Sequence, residues 1–147
     1  MLHISVKSFQ ELSNTELYGI LQLRSEVFVV EQQCVYQDLD EKDQKALHVI
    51  GHNRGSIVAY TRIFRPGDYV ETASIGRVVV RSLERKYGYG KEIMRASIQA
   101  IEEHFGERII HVSAQLYLER FYHELGFEQI GKGYLEDGIP HIGMLRQ

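Results

Sequence analysis

The sequence predicts one α/β (α+β) domain over residues 1–147, three layers deep, with a mixed central sheet of about six or seven strands and helices on both faces. Three observations predict it. Segments of strand character alternate along the chain with segments of helical apolar spacing. Val78–Val80 is a continuous β-branched run, as expected of a strand buried on both faces. The chain has 147 residues, 44% hydrophobic and 25% charged, which is the size and composition of a single soluble domain.

Each element has its own local signal. His3–Lys7 reads as a short edge strand. Ser13 followed by Glu16 fits a capping box, and Leu17, Ile20, Leu21, Arg24, Val27 and Phe28 then recur at helical spacing. Arg24 interrupts that apolar stripe, so it either snorkels to solvent or reaches a carboxylate in a site. Cys34–Lys45 has no apolar period and reads as a loop. Ala46–His52 and Ile57–Arg65 form a hairpin around Asn53-Arg54-Gly55. Ala73–Arg81 is the third central strand, and the helix after Gly90 buries Ile93, Met94, Ser97, Ile98 and Ile101. Ile109–Ala114 is another buried strand. Leu118–Leu125 is a short helix that stops at Gly126. Phe127–Gly131 and Ile139–Leu145 close the sheet.

Bulk charge excludes some function classes. The net charge is −3, so the basic residues near 77–95 are a local feature and nucleic acid is not an expected partner. One cysteine, Cys34, allows no intrachain disulfide and fits a reducing, cytoplasmic location. No signal peptide and no membrane-spanning run is expected. The histidines are scattered without a zinc motif, so no metal is expected.

The segment "RVVVRSLERKYGYGKEIMRASIQAI" places a basic, glycine-containing turn between a strand and a helix. Gly88 and Gly90 let the backbone approach a ligand. The first N–H groups of the helix lack intrahelical acceptors and favour an anion. Arg85, Lys86 and Lys91 add positive charge, so the loop Arg85, Lys86, Tyr87, Gly88, Tyr89, Gly90 and Lys91 suits a pyrophosphate. A phosphate-binding Walker loop would end in Gly-Lys-Ser/Thr, and this one reads Gly-Lys-Glu. A tight strand–helix turn with no ligand has the same local pattern.

Strand, Arg-x-x-Gly-x-Gly, helix resembles motif A of the GNAT superfamily of acyl-CoA-dependent N-acyltransferases. "HVSAQLYLERFYHELGF" resembles that family's penultimate strand and helix, with Gln115 at the usual Asn position, seven residues before Tyr122. "LRSEVFVVEQQCVYQDLDEKD", "ASIGRVVV", "SAQ" and "YLEDGIPHI" together resemble the ElaA-like branch, over nearly the whole chain. The resemblance implies a GNAT fold, acetyl-CoA as the donor, and direct acetyl transfer to a primary amine of a small molecule or peptide. It implies that Val78, Val79 and Val80 bond the pantetheine, helped by Gln115. It also implies that the Val78 N–H stabilises the oxyanion and that Tyr122 protonates the departing sulfur. A homodimer is compatible with the chain.

The chemistry asks for more than the family motif supplies. An alkylammonium of pKa ~10.4 is neutral in only about one molecule per thousand near neutrality, a barrier of roughly 4 kcal/mol. A general base lowers it. Glu31, Asp38, Asp40, His111, Glu136 and Asp137 are the candidates. His111 shares a strand face with Ser113 and Gln115 but reads equally as a packed core histidine. The acidic run from Asp38 to Asp43 reads either as a solvated loop or as a lure for a cationic amine. Arg24, Glu31, Tyr36, Asp40 and Arg77 are expected on one wall of the acceptor pocket, with Glu136, Asp137 and His141 opposite. Two rival readings stay open: a catalytically silent acyl-CoA-binding module, and an unrelated phosphate-ligand binding protein.

Overall fold

The computed structural model describes every residue from Met1 to Gln147. Strands β1 (His3–Ser8), β2 (Leu47–Asn53), β3 (Ser56–Phe64), β4 (Ala73–Val80), β5 (Ile110–Gln115), β6 (Phe127–Glu136) and β7 (Ile139–Arg146) form one sheet in the order β1-β2-β3-β4-β5-β7-β6. Only β4 and β5 run parallel. A parallel pair needs a crossover, and helix α2 (Tyr89–Phe105) supplies it. Helices α1 (Asn14–Arg24) and α3 (Glu119–His123) complete the set.

The expected capping box starts α1. The Glu16 N–H donates to Ser13 Oγ at 3.0 Å and the Ser13 N–H to Glu16 Oε1 at 2.8 Å. Neighbouring residues of β2 then face opposite ways. Ile50 packs with Ile20 and Leu23 of α1, while Val49 packs with Ile93, Met94 and Ile101 of α2. Alternation along a strand requires this, and it places helices on both faces of the sheet. Each buried aliphatic side chain contributes roughly 1.5–3 kcal/mol. A buried Thr61–Ser97 hydroxyl pair at 2.5 Å crosses from β3 to α2, with Ser97 also donating to the Ile93 carbonyl.

Three expected elements differ. The first helix does not carry its α period through Phe28: it widens into a π-helical stretch, Ser25–Glu31, where Gln32 N–H bonds Val27 O at 3.1 Å. The wider turn resets which side chains face the sheet beyond Arg24. The basic segment is not an open loop, because Ser82–Tyr87 forms a 3-10 helix that Gly88 breaks in the left-handed region. And β6 does not stop at Gly131. It runs to Glu136, with all residues after Phe127 exposed, and returns through Asp137-Gly138, both at positive φ. That geometry is the two-residue hairpin turn favoured by Asp-Gly.

Candidate active site

The site arises where two strands part. β4 pairs with β5 only at Ala73, Ser74 and Ile75, opposite Ile110, His111 and Val112. A bulge on β4 begins the separation: β3 pairs Arg62 with Gly76 and Tyr60 with Val79, leaving Arg77 and Val78 without a partner on either neighbouring strand. Arg77 sits at φ 49°, sparsely populated for a residue with a side chain. Bulges bend a strand and increase its twist. Beyond the bulge the strands enclose a cavity of about 690 Å³, lined by Gly76–Val80 on one side and Ser113 and Gln115 on the other.

A network of arginines and aspartates holds the bulge. Arg77 donates from Nε to Asp38 Oδ1 at 2.7 Å and from Nη2 to the Asp38 carbonyl at 2.8 Å. Arg24 reaches Asp38 at 2.7 Å and Asp43 at 2.8 Å. Arg62 bridges Asp43 at 2.9 Å and Asp40 at 2.5 Å. Burial opposes charge on Asp43, but the guanidinium groups of Arg24 and Arg62 outweigh it and hold the carboxyl below its usual range. Tyr36 donates to Asp38 at 3.1 Å, and burial together with that carboxylate pushes its phenol up.

This network corrects four expectations. Arg24 neither snorkels nor faces the cavity: it is fully buried and its guanidinium is spent on Asp38 and Asp43. Asp40 lies behind the wall on Arg62 and does not line the cavity. The acidic run is therefore neither a solvated loop nor a lure, because its Asp38, Asp40 and Asp43 are matched by three arginines. Asp38 is likewise unsuited to act as a base.

His111 is also displaced from its expected place. It pairs with Ser74, where β4 and β5 are still joined, so the cavity has not yet opened at its level. Burial pushes its imidazole pKa down. Ser113 and Gln115, two and four residues on, do line the cavity.

At the opposite end, Arg85, Gly88, Gly90 and Lys91 line the cavity, whereas Lys86, Tyr87 and Tyr89 do not. The Tyr89 ring belongs to the core, and Tyr87 is exposed at the surface. The first helical bond of α2 runs from Glu92 N–H to Gly88 O, so the N–H groups of Tyr89, Gly90 and Lys91 have no partner within the helix, and no side chain caps them. Gly88 is at φ 75°, and a Cβ there would meet no protein atom within 4 Å. At Gly90 a Cβ would come 3.3 Å from the Phe121 ring. Arg85 donates from Nε to the Val80 carbonyl at 3.0 Å and grips both oxygens of Glu31 at 2.6 and 3.0 Å. Glu31 thus lines the cavity at its basic end, paired with a cation, which does not suit it as a free base for an amine.

Tyr122 lines the cavity from α3, its ring set edge-on to Phe121 and Phe127. Burial pushes its phenol pKa up, so the hydroxyl stays neutral and keeps a hydrogen to turn toward the cavity. Val78, Val79, Val80, Gln115, Tyr36, Arg77, Glu136, Asp137 and His141 line the same space. The sequence reading passed over Gln32, Cys34, Ser113 and Phe121 as cavity residues. Gln32, the residue that ends the π-helical stretch, donates to Gln115 at 3.3 Å. No group of three or more His, Cys, Asp or Glu side chains is arranged to hold a metal ion.

Residues 9–147 match the model of the acetyltransferase (GNAT) domain family. The chain belongs to the GNAT family. It is 41% identical to protein ElaA of Escherichia coli over 93% of this chain and 91% of that one. A UPF0039 protein of Schizosaccharomyces pombe is also 41% identical, over 97% and 95%. The crystal structure of an acyl-CoA N-acyltransferase from Pseudomonas aeruginosa superposes with a TM-score of 0.94 at 40% identity, covering 100% of both chains. The mixed seven-stranded sheet is thus the GNAT fold, with the parted β4 and β5 at its centre. Family membership makes the chain an acyltransferase, and no helix is long and apolar enough to cross a membrane.

Proposed function

We propose that this protein transfers an acetyl group directly from acetyl-CoA to a primary amine of a small molecule or peptide, in the cytoplasm. One observation carries the reading: β4 and β5 pair over three residues and then part, leaving a cavity that begins at the uncapped N-terminus of α2 and reaches Tyr122. An acyl-CoA fits each part of it. The free N–H groups at Tyr89, Gly90 and Lys91, with Arg85 and Lys91, suit a pyrophosphate. The backbone of Val78, Val79 and Val80, unpaired toward β5, suits the amide-bearing pantetheine, and Gln115 adds a side-chain amide facing it.

The Val78 N–H is then the donor for the oxyanion, since its residue lies in the bulge and has no strand partner. Tyr122 supplies the proton to the leaving sulfur. Cys34 donates its thiol hydrogen to the Asp137 carbonyl at 3.3 Å and no hydrogen bond joins its sulfur to an imidazole or carboxylate, which favours direct transfer over an acyl-cysteine. The test is calorimetry with acetyl-CoA and with ADP, followed by thiol release in the presence of a panel of primary amines. Tighter binding of acetyl-CoA than of ADP and amine-dependent thiol release are expected. Binding without release by any amine would favour the silent acyl-CoA-binding module. Equal affinity for ADP would point to a phosphate-ligand binding protein.

A further inference from the structure

We infer that His141 and Glu136 form the docking site for a primary ammonium, and that Nε2 of His141 takes its first proton. The inference rests on the acetyl-transfer reading and assigns that reaction's acceptor class and base.

The geometry starts from a hydrogen bond whose direction is fixed by chemistry. His141 Nδ1 lies 2.7 Å from the carbonyl oxygen of Ile139. A carbonyl only accepts, so Nδ1 carries the hydrogen and Nε2 of the neutral ring is a bare acceptor. Nε2 faces Oε2 of Glu136 at 3.5 Å. A carboxylate is also an acceptor, and 3.5 Å is long for a direct bond. Two acceptors thus face each other in the cavity wall with no donor between them. A group with several N–H bonds and a positive charge completes the arrangement. A primary ammonium has three such hydrogens, enough for Nε2 and Oε2 together.

The surroundings hold this pair in place. Glu136 Oε1 accepts from the Ser113 hydroxyl at 3.2 Å, and Ser113 in turn accepts from the Tyr134 hydroxyl at 2.5 Å. The Tyr134 ring stacks on the imidazole, 6.1 Å between centroids and 19° between planes. His141 is only 6% exposed, while the Glu136 side chain is 46% exposed, so an amine arriving from solvent meets the carboxylate first. The other groups facing this imidazole are Gln115 beside it on β5, Asp137 in the hairpin turn, and Tyr36 and Arg77 across the cavity. Arg77 is engaged by Asp38, and Glu31 is engaged by Arg85. Glu136 and Asp137 are therefore the cavity carboxylates that no arginine or lysine neutralises. That leaves net negative charge where a cationic acceptor would enter.

The step balances as follows. The ammonium gives one proton to His141 Nε2, from which it passes to solvent. The freed nitrogen lone pair forms the C–N bond at the thioester carbonyl. The C–S bond breaks with its electron pair on sulfur, which takes the Tyr122 hydroxyl proton. A second nitrogen proton leaves during collapse and restores that hydroxyl, and the third remains on the amide.

The test uses the full chain, ¹⁵N-labelled at histidine, with n-butylamine as the probe. His141 should show the Nδ1–H tautomer, and its Nε2 resonance should move on adding n-butylammonium, much less so in Glu136→Gln. His141→Asn keeps a donor for the Ile139 carbonyl and removes Nε2. It should lower kcat/KM for the amine ~100-fold near neutral pH. The gap should narrow toward pH ~10, where free amine is abundant without a base. A purely structural histidine would show no such narrowing. The reverse tautomer, an Nε2 resonance indifferent to n-butylammonium, or an unchanged kcat/KM at neutral pH would each overturn the assignment. The nitrogen resonances decide it whether or not n-butylamine is turned over. Calorimetry with acetyl-CoA alone reads donor binding, so failure of the donor site is seen separately.

Discussion

The two walls of the acceptor end are built from the same kinds of residue and differ in how far their charges are matched. Backing one wall, Arg24, Arg62 and Arg77 face Asp38, Asp40 and Asp43, and every one of these six has a partner. On the other, Glu136, His141 and Asp137 meet no arginine or lysine. The matched wall fixes the shape of the cavity by pinning Arg77 on its bulge. The unmatched wall keeps acceptors turned toward the space between. A buried charge that has its partner is structural. One left facing a cavity is available for chemistry.

The comparison breaks most visibly if a charge is taken from each wall in turn. Asp43→Ala should destabilise the fold by about 3–5 kcal/mol, because Arg24 and Arg62 stay buried with one partner fewer. The lower end is expected, since Arg24 keeps Asp38 and Arg62 keeps Asp40. Glu136→Gln, on the exposed hairpin, should stay within about 0.5 kcal/mol of wild type. Urea denaturation of both variants checks this. Similar losses in the two would mean that the walls do not differ in kind.

Between the walls, Tyr122→Phe removes one hydroxyl and keeps a ring that packs on Phe121 and Phe127. Turnover should fall about 10–1000-fold while the KM for acetyl-CoA stays nearly constant, since the lost contact acts mainly in the transition state. Steady-state thiol release measures it. Equal turnover with chemistry rate-limiting would leave Tyr122 as packing alone. At the donor end, Gly88→Asn tolerates the left-handed backbone and places a side chain where no protein atom lies. Loss of one or two charge-assisted bonds to a pyrophosphate should weaken acetyl-CoA about 10–100-fold. Unchanged affinity by calorimetry in a folded variant would move the phosphates elsewhere.

Local signals carried most of the architecture. The Ser13–Glu16 box and the Asn53–Ser56 turn lie where their chemistry places them, whereas of Val78–Val80 only Val79 is buried, and Val78 and Val80 are half-buried along the cavity. Gly88 and Gly90 reach the cavity as the glycine loop suggests, and so do Tyr122 and the β4 backbone, which the resemblance to the GNAT family implied. What stayed hidden was either nonlocal or unmarked. Arg24 and Asp43 are 19 residues apart, and a charge does not declare its partner. An arginine at positive φ has no sequence signature, so the Arg77 bulge was invisible. The far half of β6 has no buried face and hence no alternation to read. Asp137-Gly138 was the one unused clue, as it marks a hairpin whose strands must extend to Glu136 and Ile139.

The most gradual effect, spread over pH, lies behind the matched wall. His48 is fully buried there, 2.9 Å from the Asp43 carbonyl through Nε2 and 2.6 Å from the Tyr60 hydroxyl through Nδ1. The carbonyl needs a hydrogen from Nε2, so in the neutral ring Nδ1 accepts from the Tyr60 hydroxyl. Burial pushes its pKa down, with Arg24 and Arg62 adding to that and the Asp43 carbonyl and carboxylate opposing. His111 is shifted the same way by burial alone. For both, the unfolded chain takes up protons below pH ~6.5 while the folded chain resists them. Their contribution to stability is thus complete above pH ~6.5 and is lost as pH falls toward the folded values. The slope reaches at most about 1.4 kcal/mol per pH unit for each group. Urea midpoints should therefore fall between pH ~6.5 and ~5, before the depressed carboxyls of Asp40 and Asp43 begin to contribute. His48→Gln keeps a donor and an acceptor but cannot take the proton. It should be less stable at pH 8 and show about half the wild-type slope. A wild-type midpoint that is flat over this range would mean that His48 and His111 reach water on acidification without unfolding, and that the matched wall is looser than its ion pairs suggest.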